Sequence, residues 1–170
     1  EFDNEAKRGR ALGVAYLLSL GADPNYDDEF LDYSTLTIAC MKGHVKIVRM
    51  LVANGAHLEW PGVEQMTPLM WAAREGHAEV VRLLLAAGAN KEARDFQDWT
   101  PLVHACRYGK LEAARVLLEA GADVHVRVDE DWTPLRKAIE ENWEKVVALL
   151  LEHGADYDER YNNVFHNNTT

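Results

Sequence analysis

Two cysteines, Cys40 and Cys106, are all that 170 residues hold, too few to staple a small secreted scaffold with disulfides. That shortage points to a reducing, intracellular compartment, cytoplasmic or nuclear. Positive charge is scarce too: 18 Lys and Arg stand against 28 Asp and Glu, a formal net charge of -10. Phosphate backbones are held by clustered Lys and Arg, so nucleic acid is a poor partner. Apolar runs such as Leu83 to Ala87 fall far short of the ~18 to 20 residues that a membrane span needs. Pro 5 and Gly 11 are too few for a collagen-like or low-complexity chain, and 48% hydrophobic with 27% charged residues is the balance of a chain that folds. The amino terminus, Glu1-Phe2-Asp3, has neither Met nor a charged-then-apolar signal pattern. It reads as an excised fragment whose first two residues are a cloning remnant.

Catalytic and metal patterns are missing as well. The seven histidines form no His-Glu-x-x-His and no paired Cys/His cluster with metal-ligand spacing. There is no phosphate-cradling glycine loop and no nucleophile elbow. Neither an enzyme, nor a metal, nor a cofactor is expected.

What the sequence does have is a period. Gly-Ala pairs begin at Gly21, Gly55, Gly88, Gly121 and Gly154, in steps of 34, 33, 33 and 33. Ser34-Thr35-Leu36, Thr67-Pro68-Leu69, Thr100-Pro101-Leu102 and Thr133-Pro134-Leu135 keep a second phase of 33, which places the one extra residue between Gly21 and Ser34. A fixed period of this size is the signature of a solenoid. Within one unit, Thr67 is a good N-cap, Pro68 suits the first helical turn and Gly76 can end the helix. Val81, Leu84 and Leu85 then form the apolar stripe of a second helix that Gly88 stops. Residues 88 to 100 lack helical periodicity and read as an extended or hairpin-like connector.

Thr67-Pro68-Leu69-Met70-Trp71-Ala72-Ala73, Gly76-His77, Val80-Val81, Leu83-Leu84-Leu85 and Gly88-Ala89 resemble the ankyrin repeat almost position by position. The resemblance covers nearly the whole chain. It implies a mainly α solenoid of stacked helix-turn-helix pairs with β-hairpin or extended connectors, the fingers and first helices forming a concave face. The expected division is a partial amino-terminal capping repeat at 1–24, repeats at 25–57, 58–90 and 91–123, a carboxyl-terminal cap at 124–156, and a tail or truncated connector at 157–170. Thr37, Met70, Val103 and Arg136 stand where that family usually has a hydrogen-bonding His, which puts the usual finger network in doubt. Asn142 replaces the turn glycine of Gly43, Gly76 and Gly109, and Asn is the next best residue in a left-handed position.

The residue before each helix start is large and apolar: Tyr33, Met66, Trp99, Trp132 and, in the tail, Phe165. Equivalent positions align across a solenoid, so these form a ladder that either packs on its own fingers or lines a partner groove. Trp, Tyr and Met are enriched at interface cores. Phe30, Leu31, Val63 and Phe96 fall at finger tips. By resemblance Ile38, Trp71, His104 and Lys137 face the concave side, with Trp71 a core or a binding residue. Arg74, Arg107 and Tyr108, at first-helix ends, are polar contact candidates because they combine flat contact area with directed hydrogen bonds. Cys40 and Cys106, two repeats apart, are too distant for a disulfide and are small core residues.

The expected function is non-catalytic protein binding: a groove holding a peptide segment or folded partner through Tyr33, Met66, Trp71, Arg74, Phe96, Trp99, Arg107, Tyr108 and Trp132. A regulatory or inhibitory subunit, or the recognition arm of a larger enzyme or channel, is the alternative; a structural spacer or engineered scaffold is another. Acid clusters at Asp27-Asp28-Glu29 and Asp129-Glu130-Asp131 either steer a basic partner segment or simply solvate the surface. With Arg74, Arg94 and Arg107 in the central repeats, the expected partner has an apolar centre and basic flanks, and binds a monomer.

Overall fold

The computed structural model describes residues 2–25, 33–128 and 132–157. The acid clusters, the tip residues Phe30 and Leu31, and Phe165 lie outside them, as does nearly all of the 157–170 tail. Ten α-helices form among the described residues, in five consecutive pairs. These are α1 (Phe2–Lys7) with α2 (Ala11–Ser19), α3 (Thr35–Met41) with α4 (Val45–Ala53), and α5 (Pro68–Glu75) with α6 (Ala78–Ala86). They continue with α7 (Pro101–Arg107) and α8 (Leu111–Glu119), then α9 (Pro134–Glu140) and α10 (Glu144–Glu152). The odd-numbered helices contact one another in sequence, α1 to α3 to α5 to α7 to α9, and the even-numbered ones do the same from α2 to α10. A two-layer, mainly α solenoid results, as the period implies.

Local chemistry explains the boundaries. The hydroxyls of Ser34, Thr67, Thr100 and Thr133 accept from the backbone N–H of Thr37, Met70, Val103 and Arg136 at 3.1, 3.3, 3.4 and 3.2 Å. Each satisfies one of the orphan donors of its helix start. Second helices have no side-chain cap. Instead, the N–H of His44, His77, Lys110 and Trp143 closes back onto the carbonyl of Ala39, Ala72, Ala105 and Ala138, so one turn ends the first helix and starts the second. Across repeats the Trp143 ring lies against Gly109 while its Nε1–H donates to the Arg107 carbonyl at 3.0 Å. Asn142 takes the left-handed conformation with φ 59.

The core is periodic in both layers. Leu36, Leu69, Leu102 and Leu135 of the first helices are buried, as are Leu51, Leu84, Leu117 and Leu150 of the second. Cys40 and Cys106 are free thiols packed among them, and burial pushes both thiol pKa values upward.

Among the described residues the connectors are hairpin-like without becoming strands. Gly62 N–H reaches Met66 O, Asp95 N–H reaches Trp99 O, and Val128 and Trp132 exchange both bonds as one isolated antiparallel bridge. Each connector is tied to the previous one: the side chains of Asn25, Glu59 and Glu92 accept from the backbone N–H of His57, Asn90 and Asp123 at 2.7, 2.7 and 2.9 Å. No described helix is long and apolar enough to cross a membrane.

Candidate functional site

Tyr33, Met66, Trp99 and Trp132 each directly precede an N-cap, so capping fixes where they leave their fingers and which side of the first helix they meet. Five positions on comes the row Ile38, Trp71, His104 and Lys137, and eight positions on comes Met41, Arg74, Arg107 and Glu140. Helical spacing puts these rows on one face. Two clusters of rings and cations form there.

In the first cluster, Tyr33 meets Trp71 edge-on, with ring centroids 5.7 Å apart. The Arg74 guanidinium carbon lies 4.9 Å from the Trp71 ring centroid and 4.9 Å from that of Tyr108. Trp71 is buried and Tyr108 is exposed. Arg74 thus joins consecutive repeats through cation-π contact.

The second cluster surrounds the two finger tryptophans. The Lys137 ammonium lies 3.4 Å from the Trp132 centroid and 5.1 Å from the Trp99 centroid. Arg136 approaches Trp132 at 4.3 Å and Arg107 approaches Trp99 at 5.4 Å. Arg107 and Arg136 also pair with Glu141 and Glu140 at 3.2 and 3.1 Å. Burial pushes the Lys137 ammonium below its ordinary 10.5; neighbouring Arg107 lowers it further, and Glu140 and Glu141 restore part.

One residue after the position where the family's usual His is missing, His104 supplies a substitute. Its Nε2 lies 2.8 Å from Asp95 Oδ2, both side chains being buried. Asp95 Oδ1 accepts from the N–H of Gln97 and Trp99, each at 2.9 Å, and the Trp99 ring stands edge-on to His104 at 5.3 Å. This node holds the finger that presents Trp99. Burial alone would raise the Asp95 carboxyl, but the hydrogen bonds from His104, Trp99 and Gln97, with the His104 charge, leave it below its ordinary 3.8.

The sequence-derived candidates therefore separate. Tyr33, Trp71, Arg74 and Tyr108 come together, as do Trp99, Arg107 and Trp132. Met66 is completely buried and packs with Met70 and Trp71, a support beneath the surface. Phe96 is 75% exposed at its finger tip, outside both clusters. Lys137, Arg136 and the Asp95–His104 pair were absent from the candidate residues. Lys137 carried a signal, a lysine in a row otherwise holding Ile, Trp and His; Asp95 carried none, because its partner lies on the next helix. No group of three or more His, Cys, Asp or Glu is arranged to hold a metal among the described residues.

A family model described as ankyrin repeats (3 copies) matches residues 5–95 and 93–161. Over 66 residues the chain is 39% identical to the human protein named SH3 and multiple ankyrin repeat domains protein 1. Its Mus musculus and Rattus norvegicus counterparts match equally. The aligned stretch is 38% of this chain and 3% of those relatives, so the chain corresponds to a small part of each. With helix pairs repeating every 33 residues and the family match running through nearly all of them, the chain belongs to the ankyrin repeat family.

Proposed function

We propose that the chain is a non-catalytic binding module that holds a protein segment along the finger side of its first helices. Ankyrin repeats generally serve protein-protein interaction. The observation that supports this surface is the Arg74 guanidinium set between Trp71 and Tyr108, with the Tyr108 ring 37% exposed beside it. Such side chains are ordered before a partner arrives, which lowers the entropy lost on binding. Helix layers lie ~8 to 10 Å apart and extended chain advances ~3.3 Å per residue, so a segment of about six residues runs from Trp71 to Lys137. The relatives' printed name joins ankyrin repeats to SH3 in one protein, which favours a recognition arm of a larger chain as the second reading.

Display of random peptides on the whole chain tests the surface. Selected peptides should lose roughly tenfold or more in affinity when Arg74→Ala and Tyr108→Ala are combined, with the thermal midpoint within a few degrees of wild type. Equal affinity for the variant would move the binding surface elsewhere.

A further inference from the structure

The row Ile38, Trp71, His104 and Lys137 carries polar groups that its own packing does not satisfy. Trp71, His104 and Lys137 are 8%, 3% and 7% exposed. Trp71 Nε1 and His104 Nδ1 have no hydrogen-bond partner among the described residues. Lys137 is the charged member. Among the described residues its ammonium meets tryptophan faces and no acceptor oxygen at hydrogen-bond or ion-pair distance. Where packing alone decides, this row uses Ile38. Arg107, which shares the Trp99 ring with it, adds like-charge repulsion at a site where burial already disfavours the ammonium.

We propose that Lys137, with Arg107 beside it, receives one carboxylate from the partner segment, a Glu or Asp side chain seated between Trp99 and Trp132. The inference rests on the proposed finger-side binding surface. Charge selects the ligand. Among the described residues, Arg107, Arg136 and Lys137 stand against Glu140 and Glu141, an excess of one positive charge that suits a monoanion better than a phosphate dianion. It also revises the expected partner. The segment's centre carries an acid, because cations already lie against the two tryptophan rings that an apolar centre would have met. Basic flanks remain compatible with a chain of net charge -10.

The test takes peptides selected from random display on the whole chain. Selection should enrich Asp or Glu at one fixed position. Replacing that acid by Gln or Asn should weaken binding roughly tenfold or more on wild type and less than roughly threefold on Lys137→Met, a substitution that keeps the side-chain length without the charge. Peptides that need Arg74 and Tyr108 but show no acidic position, or a Gln penalty unchanged in Lys137→Met, would overturn the carboxylate assignment and leave the surface standing. Peptides indifferent to all three substitutions, or a selection that returns none, would instead remove the surface. A phosphoserine in place of the acid that binds tighter by roughly tenfold would assign the site to phosphate. An acid dependence seen only after Asp129→Asn, Glu130→Gln and Asp131→Asn would assign it to the chain's own finger. Either result overturns the proposal.

Discussion

Substituting Gly109 by Ala separates backbone strain from packing between repeats. Gly109 holds φ +64, a conformation that costs an L-residue roughly 1–2 kcal/mol. A methyl there would stand 2.5, 2.6 and 2.7 Å from Cδ2, Cε2 and Cε3 of Trp143. The indole ring must move, and its hydrogen bond to the Arg107 carbonyl goes with it, a further loss of about 1 kcal/mol before packing is counted. The total is about 3 kcal/mol. Gly88 provides the control: its φ is +95 with nothing within 4 Å of an added methyl, so Gly88→Ala meets the conformational term alone. Thermal unfolding followed by circular dichroism should place Gly109→Ala roughly 6–12 °C below wild type and Gly88→Ala roughly 2–8 °C below, at about 2–4 °C per kcal/mol for a chain of this size. Combining Gly109→Ala with Trp143→Ala should cost less than the sum of the two single changes, since the clash is then absent. Equal losses for the two glycine variants, or strict additivity in the double variant, would refute the view that Trp143 clamps the last two repeats.

Leu84→Ala should destabilise by roughly 2–5 kcal/mol in denaturant titration, because Leu84 is fully buried in the second-helix layer. Lys137→Met should hold or raise stability, by up to about 1 kcal/mol, since the folded state carries that charge at a desolvation penalty. Because the folded Lys137 binds its proton less tightly than the unfolded one, wild-type stability gains as pH rises from the folded value towards 10.5; the Met variant should lack that gain. The depressed Asp95 carboxyl acts at the other end: its contribution is full above 3.8 and is lost as pH falls through the lower folded value, so Asp95→Asn should be less stable at neutral pH and flatter in acid. Cys40 and Cys106 should react with a thiol reagent only as fast as the chain opens, and rapid labelling of the native protein would contradict their burial.

How far the sequence reaches differs between the fold and the site. Thr67, Pro68 and Gly76 act within one or two turns of themselves, so helix starts and stops could be read without knowing any neighbour. The period then carried the same interpretation to every copy, and the leucine layers followed. At the amino terminus, where a partial capping repeat was expected over 1–24, α1 spans Phe2–Lys7 and packs on α3. Met66 and Trp99 share a ladder position and the same large apolar character, yet Met66 is sealed in the core while Trp99 stays partly open beneath Arg107.

Capping, helical stripe and repeat length are short-range properties, encoded residue by residue, and they specified the solenoid and the face carrying its candidate residues. Which cation covers which ring is a different kind of fact. Arg74 reaches Tyr108 in the next repeat, and Lys137 reaches back to Trp99, 38 residues earlier, through side-chain rotamers that exist only once the layers are stacked. Long flexible side chains place their charge several ångströms from their own backbone. Their partners are therefore set by the packing of neighbouring repeats.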